Sequence, residues 1–74
     1  MFSTFSTYDL LTLSLALQAA AERDYDSGWR YTAADTAKLA HAAMAEIIVR
    51  EPDNCDGFKV ASCAMMSIMV MGAR

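Results

Sequence analysis

Nucleophilic or metal chemistry in this chain would have to come from His41, Cys55 and Cys63, the single histidine and the two cysteines. At helical spacing His41 has Ala37, Lys38, Met44 and Ala45 as neighbours, none of them an acid or a nucleophile able to form a proton relay. Neither cysteine has a basic cluster beside it to favour the thiolate. Without CxxC or HxxxH spacing, these three side chains do not make a structural zinc set. The glycines Gly28, Gly57 and Gly72 stand apart, so there is no phosphate-cradling loop. The expectation is a chain with no enzymatic activity, no metal and no cofactor.

A disulfide is not expected either. If Cys55 and Cys63 shared a helix they would lie about 12 Å apart along its axis, whereas a disulfide tolerates roughly 4.4–6.8 Å between α-carbons. The chemistry that remains is recognition. Tyr25, Asp26, Trp29, Arg30 and Tyr31 fall within a short stretch holding the only tryptophan, and such residues join a large apolar face to a directional polar tip. They are the candidate partner-binding residues. The competing expectation is structural, with Trp29 and Tyr25 folded back as a plug over a small core.

A second candidate surface lies at the other end of the sequence. From Phe58 to Arg74 the only side chains that clearly favour water are Lys59, Ser62, Ser67 and Arg74. Met65, Met66, Met69 and Met71 fall within it, and unbranched thioethers fill irregular gaps well. A helix apolar on nearly every side must be covered, and so short a chain has little to cover it with. Together with Leu13 and Leu17 of the N-terminal region, these four methionines are the candidate oligomer interface, for which a homodimer is the simplest form.

Three helices must position these groups. The first spans about residues 7–25, capped by Ser6 or Thr7, with Asp9 in its first turn and Gly28 as its terminator. Leu10, Leu13, Leu17 and Ala20 or Ala21 recur at helical spacing, with Leu11 and Leu15 widening the stripe and Thr12, Ser14, Gln18 and Glu22 on the exposed side. The second covers 33–51, opened by a Thr32–Asp35 variant of the capping box and stopped by Pro52. Its inner face carries Ala33, Ala37, Ala40, Met44 and Ile47; its outer face pairs Glu46 with Arg50. Residues from Pro52 to Gly57 have turn chemistry, with Asp53 or Asp56 capping a third helix over 56–72. The fold class is all-α, a small helical bundle in which an antiparallel hairpin carries a third apolar helix.

At 74 residues there is one domain, and a chain of this size buries only roughly 60% of the surface it exposes when unfolded. Marginal cores of this kind are supplemented by disulfides, metals or oligomerisation, and only the last is left. The net charge of −3, with the basic residues scattered, argues against nucleic acid. A helix-turn-helix regulator would need base-reading side chains where this third helix has methionine. Too few basic residues flank the apolar helix for membrane-surface binding, and no run is long enough to span a bilayer. Leu10–Leu17 followed by Ala19–Ala21 resembles a secretory signal, but no Lys or Arg precedes Arg23. Unpaired thiols fit a cytoplasmic setting. The functional expectation is a non-catalytic protein–protein interaction module. It would be an acidic, cytoplasmic inhibitor or adaptor of the small regulatory kind that phages also encode, self-associating and masking a surface of another protein. A structural subunit of a larger assembly is the alternative.

Overall fold

Ser6 opens the first helix by accepting a hydrogen bond from the Asp9 N–H at 3.0 Å through its hydroxyl. In the computed structural model, which describes residues 2–53 and 55–72, helix α1 then runs Thr7–Asp26. Asp9 lies in its first turn, where the helix dipole favours a carboxylate. At the other end Gly28 adopts φ 89°, a left-handed conformation that costs a residue with a Cβ far more. Its N–H donates to the Tyr25 carbonyl at 3.2 Å, and the Trp29 N–H donates to the Asp24 carbonyl at 2.8 Å. This bond pair is a Schellman motif, which reverses the chain within three residues.

That turn moves the start of the second helix. Helix α2 spans Arg30–Arg50, with Trp29 in the cap position. The Trp29 carbonyl already accepts from Ala33 N–H at 2.8 Å, so Thr32 and Asp35 lie inside the first turns instead of forming a box at the boundary. The chain leaves α2 at Glu51, whose N–H bonds to Ile47 O at 2.9 Å, and Pro52 cannot extend the ladder. Helix α3 spans Asp56–Gly72. Its ladder starts at the Cys55 carbonyl, which accepts from Lys59 N–H at 2.9 Å; Asp56 is thus the first helical residue and not the cap. The Cys55 thiol donates back to Pro52 O at 3.2 Å and closes the connection. Asn54 of this turn, and Ala73 and Arg74 of the apolar tail, lie outside the described residues.

Helix α2 is the central layer. Ala33, Ala37, Ala40 and Ala43 are fully buried along it, and side chains this small let α1 and α3 approach closely from either side. One core cluster joins Ala21, Ala37, Ala40, Met44 and Met65, with Leu17, Phe58, Ala61, Ile68 and Met69 packed around it. A second joins Leu10, Ala43 and Ile47 beneath Phe2 and Phe58. All three helices therefore contribute to the core, whose two clusters share Phe58 at their margin, with α2 antiparallel to both neighbours.

Two expectations for α1 change. Ser14 is buried, its hydroxyl satisfied by the Leu11 carbonyl at 3.0 Å, while Leu15 is exposed. The inward stripe is Leu10, Ser14, Leu17 and Ala21, because a small side chain at position 14 lets α1 settle against α2. Arg50 supplies a tertiary tie that the sequence does not announce. Its guanidinium bonds Glu46 at 3.1 Å as expected for the pair, and also donates to the carbonyls of Phe5 at 2.7 Å and Phe2 at 3.0 Å. The segment before α1 is thereby held to the end of α2, with the rings of Phe2 and Phe5 edge to face at 5.7 Å.

Candidate functional site

Two surfaces present side chains of the kind that bind proteins. The first is the α1–α2 corner. Asp26, Trp29, Arg30 and Tyr31 are exposed and Tyr25 is half-buried. With 67% of Trp29 accessible, the tryptophan does not plug the core. Its backbone is committed on both sides, as donor in the Schellman turn and as acceptor for the first turn of α2, while the indole stays in solvent. Arg30 instead folds over Tyr25, its guanidinium carbon 4.2 Å from the ring centroid and its Nη1 donating to the phenol oxygen at 3.1 Å. A cation over such a partly exposed ring contributes about 0.5–1 kcal/mol. The Tyr25–Arg30 pair is thus ordered while Trp29 and Tyr31 stand free beside it.

The second surface is the outer face of α3. At 3.6 residues per turn, Phe58, Ala61, Ser62, Met65, Ile68, Met69 and Gly72 share the side facing α2. Diametrically opposite lie Asp56, Val60, Cys63, Ser67 and Val70, flanked by Lys59, Ala64, Met66 and Met71, all exposed. Asp56 and Lys59 are the only charged side chains on the helix. An open depression of about 490 Å³ is lined by Cys63, Met66, Ser67, Val70 and Met71. Every one of those residues belongs to α3, so the depression has one wall and suits a packed partner better than an enclosed small molecule.

The six residues expected at an oligomer interface therefore divide. Met66 and Met71 are about half exposed. Met69 and Leu17 pack against the chain's own core, and Leu13 is half-buried on the flank of α1. Met65 is fully buried and unavailable to a partner, because its side chain fills the space left by the alanines of α2. Val60, Cys63 and Val70 were not among the expected interface residues. Their signal was present as a three-then-four spacing running opposite to the Met65–Met69 row.

The remaining chemistry is dispersed. His41 is half-buried on α2, Cys55 is buried in the α2–α3 turn, and Cys63 is exposed on α3. Among the described residues no three His, Cys, Asp or Glu side chains gather into a metal-binding group, and no helix is long and apolar enough to cross a membrane. No protein-family model, curated protein or solved structure matches this chain.

Proposed function

We propose that this chain is a non-catalytic protein–protein interaction module, a small inhibitor or adaptor that self-associates and masks a surface of a partner protein. One observation carries the reading: α3 is apolar on both sides, with Met65 inside the chain's own core and Val60, Met66, Val70 and Met71 left in water. Contiguous exposed apolar side chains on a small domain mark association surfaces. The corner formed by Tyr25, Trp29, Arg30 and Tyr31 supplies a second contact of a different type, suited to a partner that is not a copy of this chain. Two free thiols agree with a cytoplasmic setting. A DNA-reading role is disfavoured because Lys59 is the only basic side chain described on α3.

The test is affinity capture from the native host with the wild-type chain and with a Trp29→Ala, Arg30→Ala double variant. A specific protein held by the first and lost by the second, with helical circular dichroism unchanged, supports the corner as the partner site. Equal capture by both chains removes the corner from the function, and loss of helicity in the variant makes it a structural element.

A further inference from the structure

We propose that residues Phe2–Phe5 form a releasable strap. It swings open about Ser6 while the three helices stay folded, and this uncovers the side of the Leu10, Ala43 and Ile47 cluster on which Phe2 lies. The strap is a unit of its own. The Phe5 N–H donates to the Phe2 carbonyl at 3.1 Å and the two rings meet edge to face at 5.7 Å, so these residues move as one turn. Helix α1 does not depend on them. The Ser6 hydroxyl accepts from Asp9 N–H and the Ser6 carbonyl from Leu10 N–H, both at 3.0 Å, which leaves the cap complete at the hinge.

Few contacts fasten it. Among the described residues Arg50 is the one side chain that hydrogen-bonds to the strap, through Nη1 to Phe5 O and Nη2 to Phe2 O, while Glu46 takes Nε and aims the fork. The Arg50 side chain is 22% exposed, so water can replace these bonds. Phe5 is exposed and adds little burial; Phe2 is the ring packed on the cluster. Against these contacts stands the entropy of holding four residues in one conformation, which places the strap at the low end of local stability. The helices are joined through both core clusters and open only by losing them. The strap closes the start of α1 onto the end of α2, at the opposite end of the bundle from Trp29. Closed, it shields Leu10 and Ile47 from water; open, it turns a sealed end of the bundle into an apolar one. The occupant of that site is the strap itself, so Arg50 sets how often the site is bare, whether or not the chain associates as proposed above.

The test places one reporter thiol in each of two full-length chains carrying Cys55→Ser and Cys63→Ser. Ile47→Cys lies beneath the strap, and Met44→Cys lies in the other cluster on the same helix. Maleimide labelling is followed at increasing, sub-denaturing urea. The thiol at position 47 should react roughly tenfold or more faster than that at position 44, because a local opening is more frequent than global unfolding. Its rate should hardly change with urea, since strap opening exposes little surface, whereas labelling at position 44 should rise steeply. Adding Arg50→Ala should speed labelling at position 47 by roughly tenfold, the scale of the charge-assisted bonds lost. Equal rates with the same urea dependence at both positions overturn the proposal, because the strap then opens only with the whole fold. A rate at position 47 that Arg50→Ala leaves unchanged overturns it too, by putting the fastening elsewhere. If Ile47→Cys lowers helicity, amide exchange in the wild-type chain decides instead. A Phe5 N–H that exchanges independently of urea supports the strap, and one that shares the urea dependence of the Met44 N–H overturns it.

Discussion

Gly72 of α3 lies directly against the backbone of Arg30 at the start of α2: a Cβ at position 72 would meet the Arg30 carbonyl oxygen at 2.5 Å and the Ala34 Cβ at 2.8 Å. Neither obstacle is the end of a flexible side chain. Gly72→Ala must push the last turn of α3 away from α2, and overpacking of this kind costs about 1–3 kcal/mol. Urea unfolding followed by circular dichroism should show a midpoint below that of the wild type. An unchanged midpoint would mean that the C-terminal turn of α3 does not dock as described.

The other two glycines should respond with opposite signs. Gly28 holds φ 89° in the Schellman turn, so Gly28→Ala should lose about 1–2 kcal/mol through left-handed strain. Gly57 is helical, and nothing lies within 4 Å of where its Cβ would be. There Gly57→Ala should gain up to about 1 kcal/mol, since alanine restricts the unfolded chain and favours the helix. Paired thermal melts check both signs at once.

Arg50 should govern order at the N-terminus. Its three hydrogen bonds reach Glu46, Phe2 O and Phe5 O through a planar fork that lysine cannot reproduce. Arg50→Ala and Arg50→Lys should both lower stability by about 1–2 kcal/mol, within the range for partly exposed charge-assisted bonds. Both should also speed amide exchange at Phe5, whose N–H bonds to Phe2 O at 3.1 Å. Full recovery of protection in Arg50→Lys would show that charge alone holds the segment.

These sites mark where the sequence is readable and where it is not. Helix existence follows from apolar spacing, and Gly28 and Pro52 signal the two breaks. The Thr32–Asp35 box is misleading because the Gly28 turn has already reversed the chain and committed Trp29 as the cap. Ser14 is taken for a surface residue by its polarity, yet its hydroxyl is satisfied within its own helix turn. The Arg50 clamp cannot be seen at all, because its acceptors are main-chain carbonyls 45 and 48 residues away and carry no side-chain signature. On α3 the ambiguity is of another kind. Periodicity locates a buried face by contrast with a polar one, and a helix with methionine, valine and cysteine on every side offers almost no contrast.

That missing contrast makes Met65 and Met66 the most informative pair to mutate. Met65 is fully buried against Ala37, Ala40 and Met44, whereas its sequence neighbour is half exposed on the outer face of α3. Met65→Ala should cost about 2–5 kcal/mol of folding stability, through lost transfer energy and the cavity left behind. Met66→Asp should change monomer stability by no more than about 0.5 kcal/mol, as surface substitutions do. It should nevertheless weaken any self-association through the outer face of α3, since a carboxylate there would be buried without a partner. Denaturant unfolding at low concentration and sedimentation velocity at high concentration separate the two effects. A Met66→Asp chain that still dimerises would move self-association off α3, and a Met65→Ala chain that melts like wild type would mean that α3 packs on α2 through a different face.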